Sequence, residues 1–315
     1  MRRFHLAAVV VAVAVIVSGC GNAAAQDPYE IVRKTMATPW QQVQVNVGIS
    51  AKTGAATFAL DPSALQLVLD TTAGKGSVHL SIPAAALGAS ATSLQALGIT
   101  GNTLDFDALF DGQALYAKSP LLKSVVTMLI AGSGSGSLPS GDLTGWLRLA
   151  TKADLDLLAA GVAGGTTPTP PPVASFDANT LRKALNDNGL TLTFVGTEKH
   201  NGADADHVTV AVDVAKALEA PAFDSMRRDQ LNQLRHAMKD GKVSFDLWAD
   251  HGSGRILELD AHLAATGAQA GQVDVAITFS APSSTSFEAP ANPVDVPARM
   301  LFGALLQMMG QQFQQ

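Results

Sequence analysis

Apolar and polar residues alternate over short stretches along most of this chain, with turn residues between them. Val43, Val45, Val47 and Ile49 alternate with Gln42, Gln44, Asn46 and Gly48, the two-residue repeat of a strand with one dry and one wet face. Leu65, Leu67 and Leu69 follow Asp61-Pro62, and Val78, Leu80 and Ile82 follow Gly74, which predicts an antiparallel meander. Leu104, Phe106 and Ala108 lead through Asp111-Gly112 to Leu115-Tyr116-Ala117, where Asp-Gly favours the positive φ angles of a tight hairpin turn. In the second half, Leu190, Leu192 and Phe194 pair across Asn201-Gly202 with Val208, Val210 and Val212. Val243, Phe245 and Leu247, then Leu257, Leu259 and Leu263, then Val273, Val275, Ile277 and Phe279 complete the series. With less regular stretches such as Ala55 to Leu60, about eleven strands are expected, in one long antiparallel sheet with a single apolar face.

Helical periodicity falls at Tyr29 to Met36, Leu121 to Ile130, Leu143 to Val162, Ala178 to Asn188, Asp224 to Lys239 and Pro297 to Phe313, with a helical crossover in Pro83 to Gly98. These helices can cover the apolar face, giving an α+β fold. Gly132 to Ser137, alternating Gly and Ser, and the Pro-rich Thr166 to Pro172 bracket the Leu143 to Val162 segment, which could therefore move as a flap or be held by ordinary surface loops. Both halves share the same one-sided pattern, so a single domain over residues 28–296 is expected, followed by an amphipathic helix over 297–315. In that tail Met300, Leu301, Ala304, Leu305, Met308, Met309 and Phe313 form a stripe opposite Gln307, Gln311 and Gln312. Packing on the sheet is its simplest role, and a lid or docking face the sharper one.

The N-terminus reads differently. Arg2 and Arg3 precede an uncharged apolar run from Leu6 to Val17, then Ser18-Gly19-Cys20. A membrane-spanning helix needs about 20 apolar residues, and this run is closer to the short core of a secretory signal. Small residues directly before a cysteine look like the lipobox of bacterial lipoproteins. That implies a signal peptide over 1–19, thioether lipidation of Cys20, and a tether over 20–27. The alternative is a plain signal peptide cut near Ala23-Ala24-Ala25. Cys20 is the sole cysteine, so no internal disulfide can form, and a cysteine at this position has a chemical use. Stable anchoring by more than one acyl chain would place the folded part on the extracytoplasmic side of a cell membrane.

Composition narrows the partners. The formal charge is −6 and falls by a further two when Arg2 and Arg3 leave with the signal. With no basic run interleaved with aromatics, nucleic acid is excluded as a partner, and membrane attachment rests on the lipid anchor. Hydrophobic residues make up 47% of the chain but aromatics 5%, so any enclosed volume would be lined by small and branched side chains.

Motifs of chemistry are sparse. The sequence carries no nucleophile elbow, phosphate-binding loop, dinucleotide fingerprint or paired-histidine zinc motif, so no enzyme activity, cofactor or metal is expected. Glu258, Asp260 and His262 share one strand face and could ligate a metal, yet they lie opposite Leu257, Leu259 and Leu263, where a solvated outer face is the simpler reading. His200 and His207 flank an Asp-bearing turn, where polar residues are ordinary.

Several segments carry a family resemblance: Asp111-Gly112-Gln113-Ala114-Leu115-Tyr116-Ala117-Lys118, Val195-Gly196-Thr197-Glu198-Lys199 with Asn201-Gly202 and Asp206-His207, Leu247-Trp248-Ala249-Asp250, and Phe287-Glu288-Ala289-Pro290. In order and type the chain resembles the LppX/LprG type of lipid-carrier lipoprotein, similar in architecture to the LolA and LolB carriers. These motifs are strand-and-turn signatures rather than chemical sites. The resemblance implies a strongly curved antiparallel half-barrel, with helices across its concave side and a hydrophobic cavity between. Such proteins hold acyl chains of a lipid or lipoglycan and carry or present them between membrane layers, and a membrane transporter is among the candidate partners. Candidate lining residues are Val45, Val47, Leu67, Leu80, Phe106, Leu192, Phe194, Phe245, Leu259 and Ile277, each of which could equally be plain core. The Pro-rich insertion and the helical tail depart from the family pattern. The alternative is an envelope lipoprotein that binds a protein, as an assembly or sensing module without lipid cargo.

Overall fold

The computed structural model describes residues 27–54, 56–87, 102–133, 141–162, 177–220, 227–238, 241–265, 270–284 and 286–296. Cys20, the 297–315 tail, most of the Gly/Ser stretch and all of the Pro-rich one lie outside them. The strands are β1 (Gln42–Thr53), β2 (Ala56–Leu60), β3 (Leu65–Asp70), β4 (Lys75–Pro83), β5 (Thr103–Phe110), β6 (Ala114–Lys118), β7 (Leu147–Thr151), β8 (Leu190–His200), β9 (Ala203–Val212), β10 (Lys242–Asp250), β11 (Ile256–Ala265), β12 (Gly271–Ser280) and β13 (Val294–Asp295). The helices are α1 (Pro28–Thr35), α2 (Pro120–Ser133), α3 (Lys152–Val162), α4 (Ala178–Asp187), α5 (Val214–Ala217) and α6 (Arg228–Ala237), with a 3-10 turn at Ala84–Leu87. All thirteen strands belong to one open sheet, antiparallel in its described pairings except for β13 on β7. The expected α+β class with a large antiparallel sheet is therefore what the chain adopts, and each strand of the sequence reading has its counterpart.

The described residues group into two compact units, those that fall within 1–40, 47–62 and 170–280 and those that fall within 41–46, 63–169 and 281–315. Strand β1 is shared: Gln42 to Asn46 pair with β3 in the second unit, and its remainder carries β2 in the first.

In the first unit the strand order is β1-β12-β11-β10-β9-β8. Asn201 and Gly202, at φ 50° and 85°, close the β8–β9 hairpin, since a two-residue loop of this hand needs two positive φ angles. Helix α1 begins where Asp27 accepts a hydrogen bond from the Tyr29 amide at 3.1 Å, with Pro28 in its first turn. Helix α4 is capped by Asp177, which accepts from Asn179 and Thr180. It stops at Gly189, φ 79°, where an added Cβ would sit 2.8 Å from the Asp213 carbonyl oxygen. Tyr29, Ile31, Val32 and Met36 of the α1 segment and Leu181 of α4 pack with Leu192, Val208, Leu247 and Leu259 of the strands in one buried cluster.

In the second unit the order is β13-β7-β6-β5-β4-β3-β1. Here the structure corrects two expectations. Leu143 to Val162 is not one helix: Leu147 to Thr151 form β7, laddered to β6, and α3 starts at Lys152. Thr151 and Asp154 supply the reason, because the Asp154 carboxylate accepts from the Thr151 amide and hydroxyl at 2.9 and 2.7 Å, a helix-start arrangement that leaves the residues before it extended. Leu143 and Leu147 are buried, so the front of this segment belongs to the sheet and is no flap. The second correction concerns the single apolar face. Leu109, Ala114 and Tyr116, with Val68 and Trp146, form a buried cluster with Phe287, and Leu109 and Tyr116 stand opposite each other in register on the face away from Phe106 and Ala108. The closing Phe287 segment therefore caps a second, smaller apolar patch. The Asp111-Gly112 turn also differs in detail: Gly112 alone takes positive φ, while the Asp111 carboxylate accepts from the Gln113 and Ala114 amides at 2.8 Å each.

Candidate functional site

Strand parity brings the candidate lining residues of the second unit together. Val45 lies opposite Leu67, Leu67 opposite Val78 and Leu65 opposite Leu80, and Leu80 opposite Phe106. Directly opposed residues share a face, so Val45, Leu65, Leu67, Val78, Leu80 and Phe106 form one apolar stripe across β1, β3, β4 and β5. Every one of them is half-buried, and among the described residues none belongs to the second unit's buried clusters. The part of that face that is filled lies elsewhere: Val126 of α2 is buried with Leu143, Leu147 and Val296, and Leu121 packs on Ala84 with Leu104.

The remaining candidates lie in the first unit. Leu192 and Leu259 are buried there, and Phe194, Phe245 and Ile277 pack against the same α1 and α4 cluster. Val47, past the point where β1 changes units, is half-buried.

The opposite face of the first unit carries ionisable groups. Register puts Ser244 beside His262, Asp246 beside Asp260 and Trp248 beside Glu258, with Thr209 and His207 across β9 and Asp274 across β12. Glu258, Asp260 and His262 thus stand on the polar face, as alternation requires. Among the described residues no group of three or more His, Cys, Asp or Glu is placed to hold a metal ion. Instead the groups pair with each other: His200 Nε2 is 2.7 Å from Glu258, His207 Nε2 is 2.8 Å from Asp246, and His262 Nδ1 is 2.9 Å from Asp274. Trp248 lies between the rings of His200 and His207, with centroids 4.4 and 4.5 Å away and nearly parallel, and donates from Nε1 to Glu198 at 2.8 Å. A shallow open recess of about 260 Å³ lies at one end of this face, lined by Lys242, Ser244, His262, Leu263, Ala264, Gln272 and Asp274.

Sequence reasoning located Glu258, Asp260 and His262 but not the stack around Trp248. A β-bulge hides it. Phe194 pairs with Val208 but Gly196 with His207, so Val195 is an extra residue, and every side chain beyond it changes face. Glu198 and His200 thereby move to the polar side. An exposed Val195 in an otherwise alternating strand is the one trace this leaves in the sequence.

Comparison with known proteins gives no matching family model and no matching curated protein. Among solved structures the chain is similar to lipoprotein LppX of Mycobacterium tuberculosis, at 9% identity and TM-score 0.31 over 78% of this chain and 89% of that one. It is also similar to LprF from Mycobacterium bovis, at 12% identity and TM-score 0.30 over 80% and 90%. A putative outer membrane lipoprotein-sorting protein domain from Vibrio parahaemolyticus matches at 10% identity and TM-score 0.22 over 82% and 94%. At these scores neither the ligand nor the function of those proteins passes to this chain.

Proposed function

We propose that this chain is a lipid-anchored protein of the cell envelope that binds acyl chains of a lipid or lipoglycan on its apolar sheet face and carries or presents them between membrane layers. The observation that carries this reading is the stripe formed by Val45, Leu65, Leu67, Val78, Leu80 and Phe106, which is apolar, contiguous across four strands and half-buried. Apolar surface left partly wet favours a hydrocarbon guest. Each methylene removed from water contributes about 0.8 kcal/mol, so a long acyl chain gains roughly 10 kcal/mol before ordering costs. Binding of this kind needs shape and apolar lining rather than a catalytic group. The N-terminal signal and Cys20 support attachment to the extracytoplasmic side of a cell membrane, and among the described residues no helix is long and apolar enough to cross one.

Two measurements test the reading. Replacing Cys20 with Ala should release the chain from the membrane fraction, and continued membrane attachment would defeat the anchor. Native mass spectrometry of the released protein should show retained lipid, or uptake of added phospholipid or glycolipid. A monodisperse mass that ignores both would favour a protein-binding role instead.

A further inference from the structure

Among the described residues, the apolar stripe of the second unit belongs to none of its buried clusters. The face that carries it is continuous with a filled region. Leu147 of β7 lies opposite Ala117, Ala117 opposite Ala108, Ala108 opposite Val78 and Val78 opposite Leu67, so one face runs from the β7 edge to the stripe. Helix α2 fills the β7 end, where Val126 is buried with Leu147, and the corner where Leu121 packs with Ala84 and Leu104. Over β1, β3, β4 and β5 the stripe stays half-buried.

Val296, the last described residue, is placed on this same face. Val294 pairs with Leu147 in register, and Val296, two residues on, is buried with Leu147 and Val126. Pro297 follows at once, and proline suits the first position of a helix after an extended residue. In residues 297–313, helical spacing sets Met300, Leu301, Leu305, Met308 and Met309 away from Gln307 and Gln311, and Arg299 is the only charged side chain. As a helix this segment measures about 25 Å. Strands lie about 4.8 Å apart, so the six steps from β13 to β1 in the strand order span about 29 Å. The segment is therefore long enough to run from Val296 past α2 and over the stripe.

Such a helix owes its stability to packing its apolar side, the more so with Gly303 and Gly310 within it. A bilayer is a poor partner. A length of about 25 Å falls short of the roughly 30 Å hydrocarbon core. Helices that lie in the membrane surface carry lysine and arginine along the polar side, where this segment has glutamine. A second copy offers the same stripe at far lower effective concentration than the one to which Pro297 is directly joined.

We propose that residues 297–313 lie as an amphipathic helix on the stripe of Val45, Leu65, Leu67, Val78, Leu80 and Phe106, and that an acyl chain must displace them to bind. The stripe is uncharged, so it asks only for apolar shape, and methionine side chains adapt to such a surface without requiring one close fit. The docking stands without cargo; its displacement by an acyl chain rests on the lipid-binding reading above.

Hydrogen exchange on the full chain carrying Cys20→Ala, with no lipid added, tests the docking. Amides of Leu301 to Met309 should exchange at least about tenfold more slowly than their intrinsic rates. Exchange at the intrinsic rate overturns the proposal, and so does protection that falls on dilution, as pairing between two copies requires. Leu80→Asp should cut that protection about tenfold, because an unpaired carboxylate against hydrocarbon is heavily penalised, while protection of β8 to β12 stays as it was. Unchanged protection of the segment in this variant would mean that it packs elsewhere and is equally fatal. Should Leu80→Asp not fold, Leu305→Asp, which lies outside the sheet, should raise hydroxyl-radical labelling of Leu67, Leu80 and Phe106 about twofold as they return to water, and unchanged labelling there overturns the docking. Displacement is read separately with vesicles of phosphatidylglycerol. Leu305→Asp should take up several-fold more lipid than its parent, and equal uptake by both defeats the competition. Uptake by neither defeats the cargo reading, while exchange and labelling still decide the docking.

Discussion

In the first unit Leu247, Val208 and Leu259 are buried beneath α1 and α4, and the far side of the same strands is a paired network of histidines and carboxylates. In the second, Val45, Leu67, Leu80 and Phe106 stay half-buried, and the far side is partly covered by Phe287. The same two-residue alternation has thus produced a filled apolar layer in one place and an incompletely filled one in the other. Alternation decides which residues share a face, whereas the helices that land on that face decide whether it becomes core or binding surface. Tyr29 shows what closes the first layer: it is itself buried, its hydroxyl donates to Asn186 at 2.8 Å, and it accepts from the Leu192 amide at 3.4 Å, tying α1 to both α4 and β8.

The largest expected effect comes from cutting into the filled layer. Leu247→Ala, at a site 2% exposed, should cost about 3 kcal/mol, the transfer term plus a cavity. Leu67→Ala in the half-buried stripe should cost about 1 kcal/mol, since less area returns to water. Urea unfolding of the two variants measures the gap. Equal losses would mean that the two layers are equally filled and that the contrast between the units is false.

Second in size is the effect of charge on the stripe. Phe106→Asp should leave the secondary structure by circular dichroism intact and reduce acyl-chain uptake at least about tenfold, because an unpaired carboxylate in contact with hydrocarbon is heavily penalised. The matched change in the first unit, Phe194→Asp, places the charge against the α1 and α4 cluster and should impair folding itself. Uptake that survives Phe106→Asp would remove the stripe from the binding site.

These contrasts were only partly legible in the sequence. Strands are readable because their period is two, and the Asn201-Gly202 turn because its backbone demands those residues. Strand β7 was hidden because Leu143 to Val162 satisfies a helical pattern when the Thr151 to Asp154 start signal is passed over. The stack around Trp248 was hidden because one bulged residue, Val195, reverses the parity of everything after it up to the turn. Which candidate lining residues would be covered was beyond reach for another reason: coverage depends on contacts between distant segments, such as Tyr29 with Leu192 and Asn186, and spacing along the chain carries no record of them.

A smaller effect separates the units by pH. The Asp260 carboxyl is pushed up to about 6 by burial and by Glu258, so the folded state holds that proton more tightly than the unfolded chain does. Its effect on stability is nil below about pH 3.8, grows unfavourable as pH rises toward about 6, and persists above. The raised His262 gives the same sign, since its stabilising contribution is present in acid and lost as pH rises through its folded value. Asp260→Asn should therefore match the unaltered protein at pH 4 and exceed it at pH 8 by about 1 kcal/mol, a figure reduced for the solvent screening of a half-exposed group. Thermal melts at the two pH values read this out. A variant less stable than the parent at pH 8 would mean that Asp260 has a favourable partner in its charged form.

The smallest effect should come from the ion pair on the edge of the second unit. Arg148 holds Asp295 with two hydrogen bonds, Nε to Oδ1 at 2.5 Å and the guanidinium to Oδ2 at 2.6 Å, but the two side chains are 41% and 65% exposed. Exposed pairs contribute up to about 1 kcal/mol and are weakened by salt. Strand β13 has stronger attachments: its backbone is bonded at Val294 to the Trp146 carbonyl and at Val296 to the Arg148 carbonyl, and Val296 is buried with Leu147 and Val126. Arg148→Gln should accordingly shift urea unfolding by less than about 1 kcal/mol, with the difference vanishing in high salt, while Val296→Ala should cost about 2 kcal/mol. If the order were reversed, β13 would be held by charge rather than by burial.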